Sequence, residues 1–343
     1  DAWARARTLL GSYDAIAGRL TGERSVELNW AVESGLWDLG ADGWAPDVLS
    51  AAAIDPGLLP PVRRPSEVVG NVTQRAAAET GLPQGTPVVA GSADHVASAF
   101  AAGLVRPGDL LVKLGGAGDI LFTTGRMVLD ERLYLDLHLA PGLYLPNGCM
   151  ATSGSFIRWF QRIVGGPSLA RLDREAEAAA PGSGGVVALP YLMGEKTPLN
   201  DPDARGAFTG LSLATGRGEL FRAVLESIAF GFRHHLDVFA EHGLAPVRVR
   251  VSDGGSRSRA WTQVTADVLG LPLETLRSAG GSALGVAYAA GMGVGVFSEW
   301  TAIERFVATD RVVEPRHHEA YAEPYRVYRA LYPALRSVRS LRP

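Results

Sequence analysis

Three short apolar runs in this chain each pass through a glycine-containing or small-residue turn straight into helical sequence, and that pattern restricts the fold more than any other feature. Thr86-Pro87-Val88-Val89-Ala90 runs into Gly91-Ser92-Ala93-Asp94 and then a small-residue helix over 96–104. Pro146-Asn147-Gly148-Cys149 leads to Ser155-Phe156-Ile157-Arg158-Trp159-Phe160. Val247-Arg248-Val249-Arg250-Val251 alternates as a half-exposed strand does, then feeds Ser252-Asp253-Gly254-Gly255-Ser256-Arg257-Ser258 and a helix over 259–269. Between the first two lies a β-hairpin: residues 110–114, the turn Gly115-Gly116-Ala117-Gly118, and residues 119–124. Strands alternating with helices predict an α/β fold. Residues 1–50 read as helical, with a stripe of Leu9, Leu10, Tyr13, Ile16 and Leu20 and then an aromatic cluster of Trp30, Leu36, Trp37 and Trp44. A long helix is expected over 218–241 and a small-residue helix after Gly280-Gly281.

Composition excludes several classes. The chain has 343 residues, 47% of them hydrophobic, and 33 Lys+Arg against 36 Asp+Glu give a net charge of −3. That is too apolar for disorder and too balanced for a nucleic-acid surface. One cysteine, Cys149, cannot form an internal disulfide, which makes a reducing compartment, the cytoplasm, the expectation. The uncharged stretch over 278–298 holds six glycines and almost no Leu, Ile or Phe, so a close-packed helix is expected there and no membrane span.

Familiar loop chemistries are missing. The lysines are Lys113 and Lys196, and neither follows a P-loop glycine. No G-x-G-x-x-G, H-E-x-x-H or G-x-S-x-G occurs. The glycine turns at 115–118, 253–255 and 280–281 remain, and backbone N–H groups in such turns bind anions. Asp94, between an apolar strand and a helix, has two readings. It is either an N-cap for the amides of residues 96 and 97, or a general base at the strand ends where open α/β folds bind ligands.

The residues also resemble a known family. Gly91-Ser92-Ala93-Asp94-His95-Val96-Ala97-Ser98-Ala99 is similar to the G-G-G-D-N-A-A-G-A segment of FGGY carbohydrate kinases, the xylulokinase, ribulokinase and glycerol kinase group. Val105-Arg106-Pro107-Gly108-Asp109 with Leu114-Gly115-Gly116-Ala117-Gly118 resembles their V-x-P-G-D and L-G-T-S-G phosphate hairpin. Tyr191-Leu192-Met193-Gly194-Glu195-Lys196-Thr197-Pro198 and the run from Asp201 to Phe208 resemble Y-L-x-G-E-R-T-P and D-P-x-A-R-G-x-F. Gly254-Gly255-Ser256-Arg257-Ser258 with Trp261 and Gln263 is similar to the adenosine motif G-G-A-K-S-x-x-W-x-Q.

The resemblance implies an actin/hexokinase-like (ribonuclease H-like) two-lobed kinase fold. Residues 1–104 would be the remaining part of the N-terminal, sugar-binding domain, and residues 105–343 the C-terminal, ATP-binding domain. It implies ATP-dependent phosphorylation of a sugar or polyol, a pentulose such as xylulose or ribulose, with ATP and Mg²⁺ and no protein metal ligands assigned. Asp94 would be the catalytic base and His95 a contact to a substrate hydroxyl. Gly115, Gly116 and Gly118 would approach the phosphates, and Ser153, Gly154, Trp159, Gly254, Gly255 and Ser258 would line the nucleotide pocket. Glu195, Asp201 and Arg205 are expected to stabilise a long loop, and His317 and His318 to be surface residues. Gly116-Ala117 replaces the family's Thr-Ser, and Asp119 adds a charge beside the phosphates. The family's D-x-G-T-T/S hairpin does not occur in this sequence, so the expectation is a fragment or truncated homologue with an incomplete N-terminal lobe. A non-catalytic sugar- or nucleotide-binding homologue is the alternative, and an actin-like ATPase of chaperone type a third reading. A homodimer is expected on base rate, without nucleic acid or membrane partners.

Overall fold

The computed structural model describes residues 3–278 and 280–339. The outermost residues of both expected domains, and Ala279 in the small-residue stretch, therefore lie outside the described residues. The chain forms two compact units. One comprises Asp1–Val105, Asp136–Leu145 and Gly280–Val307; the other comprises Arg106–Leu135, Pro146–Ala279 and Ala308–Pro343.

In the first unit the expected run of helix over residues 1–50 is broken up. Helices cover Ser12–Thr21, Leu28–Glu33 and Pro46–Ala51, and the aromatic cluster includes a tiny antiparallel pair, Trp37–Asp38 with Gly43–Trp44. Trp37 and Trp44 meet edge to face at 5.2 Å. The first helix ends at Gly22, whose φ of 83° closes a left-handed cap. Leu9 and Leu10 precede the helix and Ile16 is 59% exposed, so the apolar stripe does not face a core along its length. Buried polar groups anchor this region instead. Asp14 accepts from Gly11 N and Glu27 N, and Glu27, fully buried, accepts from Tyr13 Oη and Asn29 N. Helix Asp94–Ala101 follows strand Pro87–Val89 and packs against helix Gly281–Gly293. A Cβ at Gly285 would lie 2.2 Å from the Ala97 carbonyl oxygen, so the small residues are there to let two backbones approach.

The main sheet has the strands, in chain order, β1 (Asp109–Leu114), β2 (Gly118–Phe122), β3 (Tyr134–Leu137), β4 (Tyr144–Met150), β5 (Arg248–Ser252), β6 (Leu273–Ser278) and β7 (Ala308–Val313); residues 136–137 and 144–145 count with the first unit and the rest with the second. Their order across the sheet is β7-β6-β5-β1-β2-β4-β3. Strands β1 and β2 form the expected hairpin, and β5 runs parallel to both β1 and β6. The alternation in β5 had predicted a half-exposed strand, but its central position covers both faces: Val249, Arg250, Val251 and Ser252 are all buried. Its arginines are tolerated because each reaches a carboxylate, Arg248 at Asp109 (2.8 Å) and Arg250 at Glu274 (3.3 Å).

Helix Arg217–Glu241 is nearly as expected and is buried along most of its length. It buries an ion pair, Arg222 with Glu226 at 2.9 Å, whose remaining valences are met by Ser183, Gly182 N, the Ala176 and Ala179 carbonyls and Tyr321. Among the described residues no helix is long and apolar enough to cross a membrane.

Burial pushes the Glu27 carboxyl up to about 8 despite the donors around it. The folded chain therefore holds a proton there that the unfolded chain releases near its ordinary carboxylate value, and Glu27 makes stability fall as pH rises from about 4.5 to about 8. Calorimetry should show a shallower loss of Tm across that window for Glu27→Gln than for the parent chain. An identical slope would contradict the burial argument.

Candidate functional site

Asp94 is the first residue of its helix, and the residue before it, Ala93, offers no side-chain cap. The N-cap reading therefore fails for a geometric reason: Asp94 already has helical position, and its carboxylate, 90% exposed, projects outward. His95 is next to it, with Nδ1 3.5 Å from Asp94 Oδ1 and Nε2 2.8 Å from Oδ2 of the buried Asp136. Glu33 Oε1 lies 3.9 Å from the same Nε2. Burial pulls the imidazole down, but Asp136, Glu33 and Asp94 outweigh it and hold His95 up at about 9. Glu33 is pushed up to about 7 by burial and by the Asp136 charge, His95 opposing.

Glu33 and Asp136 carry no local motif, and the sequence reading missed both. The fold brings them together through Asn29, four residues before Glu33 on the same helix. Its amide Nδ2 donates to the Leu137 carbonyl at 3.0 Å, and its Oδ1 accepts from Leu137 N at 2.7 Å. That two-point grip on the residue after Asp136 fixes the carboxylate against the helix carrying Glu33. Among the described residues, Glu33, His95 and Asp136 bring a ring nitrogen and two carboxylate oxygens within 4.8 Å of one another, an imidazole held between acids.

The second unit holds a cavity of about 970 Å³. Gly115, Gly116, Gly154, Trp159, Gly254, Gly255 and Ser258 all line it, so seven expected residues meet at one place. The turn at 115–116 is fixed by the start of helix Gly154–Ile163: Ser153 N and Ser155 N donate to the Gly116 carbonyl at 2.9 and 3.0 Å, and Gly154 N donates to Gly115 O at 2.8 Å. A Cβ on Gly154 would sit 2.6 Å from that Gly115 oxygen, and one on Gly255 only 2.2 Å from the Trp261 ring. Both glycines are needed for close approach. A Cβ on Gly116 or Gly254 would meet nothing within 4 Å, which leaves backbone open toward the cavity.

Gly118 and Ser153 are not among the lining residues. Gly118 lies in β2, where a Cβ would press on Phe232 at 2.8 Å, and Ser153 is fully buried behind the turn. Ser258 Oγ caps helix Arg259–Leu269 by accepting from Trp261 N and donates to Asp173. Trp261 itself, absent from the expected site, forms part of the wall with Leu169, Met193 and Phe221. Its spacing after Gly254-Gly255 was the available signal. The buried Thr152 Oγ1, Ser153 Oγ and Trp261 Nε1 have no hydrogen-bond partner among the described residues.

The extra charge at Asp119 does not stand alone. Lys113 is its cross-strand partner in the hairpin, and the two side chains pair at 3.3 Å. Glu195, 4% exposed, accepts from Ala151 N and Lys196 N, and Asp201 accepts from Tyr332 Oη, so these carboxylates tie the 191–208 loop. Arg205 donates to the Pro202 and Ala204 carbonyls within that loop. His317 and His318 are exposed.

Comparison with known proteins identifies the family. The N-terminal domain model of the FGGY family of carbohydrate kinases matches residues 1–101, and the C-terminal domain model matches residues 124–294. The chain therefore belongs to the FGGY family of carbohydrate kinases. It is 29% identical over 338 residues to a xylulose kinase of Staphylococcus epidermidis, covering 97% of this chain and 68% of that protein. An autoinducer-2 kinase of Escherichia coli is 29% identical over 352 residues, covering 97% of this chain and 66% of that protein. The crystal structure of xylulose kinase from Rhodospirillum rubrum is 46% identical, with a TM-score of 0.91, covering 97% of this chain and 68% of that one. The chain thus spans about two thirds of the length of these relatives, and its fold is that of the two-domain, actin/hexokinase-like sugar kinases.

The two glycines of the 254–255 turn give opposite expectations. Gly255→Ala should cost about 1–3 kcal/mol through overpacking against Trp261 and Leu114. Gly254→Ala should leave the Tm close to that of the parent. Equal Tm values for the two variants by calorimetry would refute the close-approach role of Gly255.

Proposed function

We propose that this chain phosphorylates a hydroxyl of a pentulose, xylulose or ribulose, with ATP as donor and Mg²⁺ on its phosphates. The observation that carries the catalytic assignment is Asp94: an exposed carboxylate at a helix start, oriented by its neighbour and engaged in no cap. It accepts the proton of the sugar hydroxyl as that oxygen attacks the γ-phosphorus. One oxygen–phosphorus bond forms, the bond to the β-phosphate oxygen breaks, and the proton ends on Asp94. In this reading residues 1–104 carry the sugar side, with His95 beside the substrate, and residues 105–343 carry the nucleotide side.

The cavity of the second unit fits an adenine nucleotide. An apolar slot between Trp159, Trp261, Leu169 and Met193 suits a flat base, and the open backbone at Gly116 and Gly254 suits phosphate oxygens. The orphaned Thr152 hydroxyl supplies a polar partner. ATP would be held by Gly115, Gly116, Gly154, Trp159, Gly254, Gly255 and Ser258, with Gly118 and Ser153 behind them shaping the turn, and it supplies the phosphoryl group. Asp253, at φ 70° and with Oδ2 close to Gly115, is a hard oxygen donor at this turn that suits Mg²⁺.

The test is a coupled ADP-release assay with xylulose, ribulose, other ketoses and glycerol. Turnover should be highest with a pentulose. Asp94→Ala should lower kcat by about 10²–10⁴-fold with an unchanged circular dichroism spectrum. Undiminished turnover in that variant would sink the base assignment, and tight sugar binding without ADP release would favour a binding protein.

A further inference from the structure

Both nitrogens of the His95 ring face carboxylates, and the two carboxylates differ in kind. Asp136 is 3% exposed and bonds Nε2 at 2.8 Å; Asp94 is 90% exposed and faces Nδ1 at 3.5 Å. Glu33, half-exposed, stands 3.9 Å from Nε2. These are the charged groups acting on the ring. The Gly281–Gly293 helix packed on the same element carries one titratable side chain, Tyr288, whose hydroxyl donates to the Glu299 carbonyl. The Trp300–Phe306 turn meets that element through Trp300 against Phe100.

Building on the assignment of Asp94 as base, we propose that Asp136 is a positioning residue: acting through the His95 imidazolium, it holds the Asp94 carboxylate in one orientation and gives sugar phosphorylation an alkaline limb that belongs to His95. A doubly protonated imidazole has an N–H on each side, one donated to Asp136 and the other directed at Asp94. On loss of one proton, the hydrogen in the shorter bond, to Asp136, is retained. The Nδ1 lone pair then faces the Asp94 oxygen, and attraction becomes repulsion. An exposed carboxylate whose only side-chain ion pair among the described residues is to this ring swings away, and the hydroxyl proton loses its acceptor. An amide at position 95, which is what the family motif carries there, cannot titrate and so cannot produce this limb.

The electrostatics have the sign this requires. The carboxylates hold the ring's proton up to about 9, so the ion pair is complete at neutral pH and is lost as pH rises through that value. The Asn29 grip on Leu137 keeps Asp136 in place whether or not His95 is charged, because it is made of neutral amide and backbone groups.

The experiment combines NMR titration of the His95 ring, assigned by loss of its signal in His95→Asn, with pH profiles of kcat/KM on the active protein. The parent ring should titrate near 9, and the alkaline limb should coincide with it. Asp136→Asn should lower the ring's proton affinity more than tenfold and move the limb down by the same amount. It should also reduce kcat at pH 8 at least tenfold, with the KM for ATP changed less than twofold. Glu33→Gln, at a more exposed position, provides a second arm and should move ring and limb together by a smaller step. His95→Asn should abolish the limb. A ring that titrates below pH 7, or a limb that neither Asp136→Asn nor Glu33→Gln moves, overturns the positioning role while leaving the kinase reading intact. A protein that phosphorylates no sugar on the panel overturns the base assignment itself.

Discussion

The cavity of the second unit depends on one carbonyl oxygen. Gly116 O accepts from Ser153 N, Ser155 N and Ser155 Oγ, all within 3.0 Å, so the tip of the β1–β2 hairpin is pinned to the first turn of helix Gly154–Ile163. Three donors on one acceptor leave the turn little freedom. They also satisfy helix amides that would otherwise lack partners, so the same contact stabilises the helix start. The cost is sequence restriction: position 154 must be glycine, because any Cβ would collide with the Gly115 carbonyl. The hairpin tip thereby becomes a fixed wall of the cavity, and its unencumbered backbone at Gly116 faces a space that side chains do not fill.

That arrangement changes what the departures from the family motif mean. Replacement of Thr-Ser by Gly116-Ala117 removes hydroxyls, but the turn is held by backbone and by Ser155, whose hydroxyl reaches the same carbonyl. Asp119 brings a negative charge to the strand after the turn, but hairpin register sets Lys113 directly across from it. The pair is partly buried, where an ion pair is screened less than at the surface. An alternating strand pattern can predict only that Asp119 points to one face or the other; the cross-strand partner decides whether the charge is felt.

The motifs in the sequence locate the cavity of the second unit well, because its lining residues come as short contiguous blocks next to strand ends. Residues 115–116, 154, 254–255 and 258 meet where three such blocks converge. Gly118 and Ser153 fall just outside because motif membership does not distinguish a residue that touches the cavity from one that packs behind it. The 248–252 strand misled for a related reason. Strict alternation reports half exposure only when the polar residues are free, and here Arg248 and Arg250 are drawn inward by Asp109 and Glu274. Residues 1–50 misled because buried carboxylates and amides, and not an apolar stripe, organise them.

The cluster around His95 was legible at Asp94 and His95 and at no other position. Glu33 and Asp136 are far apart in sequence and neither sits in a recognisable pattern, so their meeting at His95 is a product of topology alone. What the sequence did contain was a substitution, histidine where the family motif has an amide. An amide donates and accepts without carrying charge. A histidine in the same place brings a cation only if carboxylates stabilise it against burial, and two of the three that do so are supplied from outside the motif. The departure at position 95 and the acidic side chains at 33 and 136 are therefore physically one feature. Asn29 is its structural support, since a two-point amide grip on Leu137 sets the distance at which Asp136 can meet the ring.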